Sequence, residues 1–379
     1  MANNNNTKNL NVPNLRFPEF KGEWEKIIID DLGDIVTGTT PPTNNHSNYG
    51  NEYLWASPAD LGGVKYITDT KTKLSQLGFD RTRKIAKNSI LVTCIGSTIG
   101  KMGMASTNMC TNQQINSIIV NKNYDDNFVY YAINSRFPKY LSSVAMQAVP
   151  IISKSAFEKL ENYTPKYEEQ KKIGLFLSLI DQRIENQSKI IEKYESLIKG
   201  LRYYILEEST HYNCLGNLCD IIKGQQVNLD NLLKHGKYYV MNGGTQPSGY
   251  YNSYNTDAGT ISISEGGNSC GYIQYNKENF WSGGHCYTLQ NIKSELTKKY
   301  LYHYLKSNEK MIMALRVGSG LPNIQKKDLM SLRIPIPAKE NQKKISCLLD
   351  SIEDKISVET NVLKHEIRQK SYLLRQMFI

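Results

Sequence analysis

The chain has 379 residues, with 46 Lys and Arg against 36 Asp and Glu, and so a net charge of +10. Its 40% hydrophobic and 22% charged content places it among folded proteins and outside the disordered class, with a length suggesting two or three cores. No stretch nears the roughly 18 apolar residues of a membrane span, and seven cysteines without a C-x-x-C pair argue against a disulfide framework or structural zinc.

In chain order, residues 1–11 open as Met1-Ala2-Asn3-Asn4-Asn5-Asn6. They lack the apolar core of a secretory signal and read as a frayed tail, which with the cysteine usage points to a reducing cytoplasm. Residues 12–165 alternate short β-like runs with Gly, Asn, Ser and Thr turns, with a helical patch near 128–135. Ile90 and Val92, like Ile261 and Ile263 later, have the period-two spacing of half-buried strands. Residues 166–206 form one long helix, and Pro165 ends the extended segment before it. Its seam of Ile173, Leu177, Ile180, Ile184, Gln187, Ile191, Tyr194, Ile198, Leu201 and Ile205 steps by four and three, apolar except at Gln187. Residues 207–337 repeat the mixed pattern, with a helical patch near 300–307. A second helix over 338–379 carries Ile345, Leu349, Ile352, Ile356, Leu363, Leu373 and Met377, and is poorer at Glu359, Glu366 and Lys370.

The halves are copies of one another. Pro165-Lys166-Tyr167-Glu168-Glu169-Gln170-Lys171-Lys172-Ile173 returns 172 residues later as Pro337-Ala338-Lys339-Glu340-Asn341-Gln342-Lys343-Lys344-Ile345. Upstream, residues 31–38 match 217–224 at an offset of 186, and 90–100 match 261–271 at 171. The difference puts about fifteen extra residues in the first copy, between Gly38 and Ile90. The link from Ile205 to about Leu215 is too short to fold back. The helices are therefore expected to pair as an antiparallel coiled coil, pseudo-two-fold symmetric, separating two homologous α+β heads. At 1.5 Å per residue the first helix makes a rod of about 50 Å. Fixed head spacing suits split DNA sites, whose half-sites recur about every 34–36 Å, and the basic charge suits a polyanion.

Catalytic chemistry is hard to find. No Gly-rich phosphate loop follows a strand. Thr40-Pro41-Pro42-Thr43 lacks both the amide and the aromatic of a base-flipping methyltransferase motif. A nuclease reading rests on Asp60, Asp69 and Lys71 around Mg²⁺. His285-Cys286 fails as a nucleophile pair because neighbours on a strand point to opposite faces, and no metal site is expected. The candidates for DNA contact are cations for phosphates, and amides, hydroxyls and rings for bases. In the first head these are Thr39, Thr40, Asn44, Asn45, Arg81, Arg83, Lys84, Ser97, Lys101, Gln113 and Gln114. In the second they are Lys223, Gln225, Gln226, Asn242, Gln246, Asn268, Ser269, Tyr272 and His285. The segments 150–154 and 321–326, just before each long helix, are read either as DNA-proximal or as strand entries.

The arrangement resembles the specificity (S) subunits of type I restriction–modification systems, the HsdS family. The resemblance spans about residues 12–378 and rests on Val12-Pro13-Asn14-Leu15-Arg16-Phe17-Pro18 with Trp24, on the doubled Gln-Lys-Lys-Ile helix starts, on Gly283-Gly284-His285-Cys286-Tyr287 and on Asn112-Gln113-Gln114-Ile115-Asn116. It implies that 12–165 and 207–337 are target recognition domains, each reading half of a bipartite site in double-stranded DNA. It further implies that the helices set the gap and dock two methyltransferase (M) subunits, with restriction (R) subunits joining them. S-adenosylmethionine, ATP and Mg²⁺ would belong to those partners, and the chain would be non-catalytic. The alternative is a stand-alone two-headed DNA-binding regulator, whose helices need expose no apolar residues outside the seam.

Overall fold

The structure, a computed structural model, describes residues 11–143, 150–205, 211–318, 320 and 322–379. Apart from Asn11, the tail expected over residues 1–11 lies outside them, as do Leu321 and the side chain of Ile205. The chain forms two compact units, residues 1–189 with 361–379, and residues 190–360. Among the described residues no helix is long and apolar enough to cross a membrane. All seven cysteines are free.

The first unit stacks three layers. Its central sheet runs Gly33–Thr37, Ile115–Val120, Ile90–Thr93, Met102–Ala105, Tyr66–Ile67, antiparallel except at the last strand. The helix Asp126–Ser143 covers one face, where Val129 and Ile133 meet Ile90, Val92, Met104 and Ile118. A second five-stranded sheet covers the other, where Leu91, Ala105 and Ile115 meet Ala56, Ile85 and Met109. The strand Ile90–Thr93 is therefore buried on both faces, as is Thr260–Ser264 in the second unit. This corrects the half-buried expectation: the second sheet takes the face that the alternation assigned to solvent. Each aliphatic chain so buried contributes about 1.5–3 kcal/mol.

The second unit repeats this order as Asp220–Lys223, Cys286–Gln290, Thr260–Ser264, Ile273–Asn276, with the helix Lys298–Ser307 packed beside it. Its second sheet has three strands instead of five, and keeps the parallel pair Tyr238–Met241 with Trp281–Ser282 that corresponds to Tyr53–Ala56 with Met109–Thr111. The extra length of the first copy builds the strands Tyr66–Ile67 and Lys84–Ile85 and the helix Gln76–Arg81.

The repeated glutamine explains why the two long helices start alike. The Gln170 side chain donates to Thr164 Oγ1 and the Pro165 carbonyl, and accepts the Asp125 N–H at the foot of the helix Asp126–Ser143. Gln342 donates to the Glu295 and Pro337 carbonyls and accepts the Thr297 N–H, at the foot of Lys298–Ser307. One buried amide thus ties each domain helix to the start of a long helix.

Those long helices span Tyr167–Ile205 and Lys339–Met377 and pack antiparallel, and every seam residue with a described side chain is buried or half-buried. In the first unit Ile173 and Leu177 join Trp24, Phe128, Leu373, Met377 and Phe378 in one core. In the second, Ile198, Leu349 and Ile352 form a core flanked by Tyr194, Leu201, Ile345 and Ile356. Two of the three weak positions of the C-terminal seam are ion pairs, Glu366 with Arg183 and Lys370 with Asp181 at 2.5 Å. Each unit also makes the same three-way contact. Tyr131 donates to Asp181, which meets Lys370; His303 packs with Glu353, which meets Arg202.

Candidate nucleic-acid interface

Two glycines anchor the loops that carry most candidates. A Cβ on Gly38 would meet the Thr111 and Asn112 carbonyls at 2.2–2.3 Å, and one on Gly224 the Ser282 and Gly283 carbonyls at 2.3–2.4 Å. Only glycine lets these backbones approach so closely. Beyond each glycine an indole pins the next carbonyl: Trp55 Nε1 donates to Thr39 at 3.0 Å, and Trp281 Nε1 to Gln225 at 2.8 Å. Neither tryptophan was singled out from sequence, because the two come from different places in the repeat.

In the first unit Thr39 Oγ1 accepts the Arg83 backbone N–H, and the Arg83 guanidinium donates to the Thr37 carbonyl. The Thr40 hydroxyl donates to Gln113, and Gln114 donates to the Ile95 carbonyl beside the turn 96–100. The structure thus gathers Thr39, Thr40, Arg83, Gln113, Gln114 and the exposed Ser97 around one network. Arg81 lies outside that network: it donates to Asn48, whose side chain donates to the Pro42 carbonyl. Asn45 caps the short turn His46–Asn48 and Asn44 is exposed next to it. Lys84 turns to Asp80 and the Phe79 ring, and Lys101 lies past the turn with its stem beside Gly62.

The second unit gathers Lys223, Gln226, Asn242 and His285. Lys223 Nζ meets Glu265 at 2.7 Å, Asn242 Oδ1 accepts the His285 N–H at 3.0 Å, and Gln226 packs over Gly284. Gln225 and Gln246 are exposed on the adjoining loops, with Asn268 and Ser269 on the turn 267–271. Tyr272 points elsewhere: its ring lies 4.1 Å below Lys306 Nζ, against the domain helix. The turns match in detail. Gly96, Gly100, Gly267 and Gly271 all have φ between +77° and +95°, and the Pro150 and Pro322 carbonyls accept the Gly96 and Gly267 N–H groups at 3.0 and 2.9 Å. Residues 150–153 and 322–325 are therefore extended entries, bound to these turns, that lead into the helices Lys154–Glu158 and Lys326–Met330 rather than into strands.

The carboxylates of the nuclease reading serve local structure. Asp60 accepts the Ser57 and Lys71 backbone N–H groups as a turn cap, and Asp69 pairs with Lys73. Burial pushes the Cys286 thiol up to about 11, while the neighbouring His285 is exposed. Among the described residues His303, Asp350 and Glu353 place ligand atoms within 4.8 Å of one another, a grouping that sequence reading missed. Lys299 and Arg202 already neutralise the two carboxylates, and burial holds His303 below the usual imidazole range.

The chain matches the family described as type I restriction modification DNA specificity domain twice, over residues 21–195 and 208–369. It is 33% identical over 174 residues to the type I restriction enzyme HindI specificity subunit of Haemophilus influenzae, covering 43% of this chain and 38% of that protein. It is 23% identical over 401 residues to the type I restriction enzyme MjaVIII specificity subunit of Methanocaldococcus jannaschii, covering 91% and 89%. It spans less than half the length of the four relatives it matches at 29–34% identity. Its fold is shared with the crystal structure of a type I restriction–modification system S subunit from M. genitalium, with TM-score 0.74, 21% identity, and 97% and 99% of the two chains covered.

Proposed function

The chain belongs to the type I restriction modification DNA specificity family, and on that footing we propose that it is the sequence-reading subunit of a type I restriction–modification complex. Each unit reads one half of a bipartite site in double-stranded DNA. The observation that carries this reading is one loop scaffold built twice with different side chains. Thr39 and Gln114 of the first unit hold the places that Gln225 and His285 hold in the second: the Thr39 and Gln225 N–H groups donate to the Thr111 and Ser282 carbonyls, and the Gln114 and His285 carbonyls accept from Cys94 and Glu265. Backbone geometry held constant while the polar groups change is what two half-sites of different sequence require.

Partner subunits carry the chemistry in this reading. Two M subunits dock on the long helices, R subunits join them, and S-adenosylmethionine, ATP and Mg²⁺ are bound there. Exposed apolar residues outside the seam support docking over the stand-alone regulator: Leu175, Leu179, Leu197 and Tyr203 on one helix, Leu348, Val358, Ile367 and Tyr372 on the other. Leu175 and Leu179 lie one helical turn apart and so share a face, and contiguous exposed apolar surface marks contact sites. The test is to express the chain with and without an M subunit from its own host and sequence the methylome. Methylation of a split motif only in the pair is expected. Methyl transfer by the chain alone, or a stable M complex with Leu175→Glu, Leu179→Glu and Leu197→Glu combined, would overturn the reading.

A further inference from the structure

Glu265 is the residue whose place the proposed function leaves unexplained. It is 8% exposed, yet it sits among the loop groups of the second unit. Its Oε1 accepts from Lys223 Nζ at 2.7 Å and from the Tyr287 hydroxyl at 2.9 Å. Its Oε2 is buried, has no hydrogen-bond partner, and lies 3.6 Å from His285 Nδ1. A buried carboxylate oxygen without a donor is costly unless something completes it.

The first unit shows what stands in the same place. The Cys94 N–H donates to the Gln114 carbonyl at 2.8 Å, and the Glu265 N–H to the His285 carbonyl at 2.9 Å. Thr37 pairs with Asn116 as Lys223 pairs with Tyr287. The neutral set Thr37, Cys94 and Gln114 is thus replaced by the ionisable set Lys223, Glu265 and His285. Cys94 does not titrate near neutrality, since burial pushes its thiol up to about 12. The groups facing the His285–Glu265 pair are Lys223 from its strand, Tyr287 and Cys286 from theirs, Cys270 from the glycine turn, and Asn242, which holds the His285 N–H. Burial keeps Tyr287 and Cys270 protonated.

We propose that His285 is a DNA contact of the second unit, held by Glu265 as its positioning residue, and that it binds DNA in the doubly protonated form. Nδ1–H then completes Glu265 Oε2, and Nε2–H donates to an acceptor on DNA. That acceptor is a phosphate oxygen or the N7/O6 edge of guanine, which share the same demand for a charged donor. This inference rests on the DNA-reading function above. Proton uptake on binding makes affinity for the second half-site fall as pH rises. Gln114, in the equivalent place, gives the first half-site no such dependence.

The test uses the complex with its M subunit and a duplex carrying the motif found by methylome sequencing, with binding measured at pH 6 and pH 8. Wild type should lose about tenfold in affinity over that range, close to a 1.4 kcal/mol change. His285→Gln should bind weakly with a flat profile, His285→Lys should keep pH 6 affinity at pH 8, and Glu265→Gln should move the fall to lower pH. A motif relaxed at one position of one half in His285→Gln cells identifies guanine as the acceptor. An unchanged motif with uniformly weaker binding identifies phosphate. His285→Gln binding like wild type at both pH values would overturn the inference, as would an undiminished pH dependence in His285→Gln. Absence of any split methylated motif would overturn the function itself instead.

Discussion

Arg16 holds Glu169 through two parallel hydrogen bonds of 2.7 Å, from Nε to one carboxylate oxygen and from Nη2 to the other. The Glu169 side chain is 2% exposed, in the first turn of the long helix Tyr167–Ile205. The second copy has Asn341 in its place and needs no cation there. Arg16→Met should cost about 3–5 kcal/mol, because the lost partner leaves a buried charge. The double variant with Glu169→Gln should regain most of that, and urea unfolding of the three proteins checks both.

The paired glutamines make a second prediction. Gln170→Leu and Gln342→Leu each strand a buried N–H and a proline carbonyl, and each should cost about 2–3 kcal/mol. Because the bonds lie within separate units, their effects should add in thermal unfolding. A strong shortfall from additivity would mean that the two sites are energetically coupled.

Lys65 predicts an alkaline dependence. Its ammonium donates to Asn127 and Ser178 at 2.6 Å and to Tyr131 at 3.1 Å, and burial lowers its pKa to about 8. The unfolded chain keeps that proton to about pH 10.4, so between pH 8 and 10 the unfolded state binds more protons. Stability must then rise with pH in that window. Relative to Lys65→Met, wild type should gain about 2 kcal/mol at most, since part of the group faces solvent. Melting both proteins from pH 7 to 10 reads the difference.

Gly38→Ala and Gly224→Ala drive a methyl group into backbone oxygens that cannot retreat without opening the adjoining sheets. Each should cost about 3 kcal/mol or more. If either melts like wild type, the close approach described for that loop is wrong.

Much of the fold was legible because duplication leaves marks at fixed offsets. Gln170 with Gln342, and Gly96 with Gly267, announced equivalent places, and the four-three spacing from Ile173 placed a helix whose seam is buried. What escaped depended on side chains meeting across unrelated loops. Trp55 and Trp281 do the same work from non-equivalent positions, so no offset links them. Glu265 aligns with a cysteine, and only the surrounding strands show that it lies under His285. The alternation at Ile90 could not reveal the second sheet, since Leu91 serves a core on the opposite face.

The first unit draws on chain from both sides of the second, because residues 361–379 complete what residues 1–189 begin. Leu373, Met377 and Phe378 lie in the core that holds Trp24. During synthesis this core must stay open until Phe378 emerges, by which time every residue of 190–360 has already been made. The second unit, continuous in sequence, has the chance to fold first. The ribosome therefore supplies the last residue of the second unit before that of the first, although the duplication made the two halves alike.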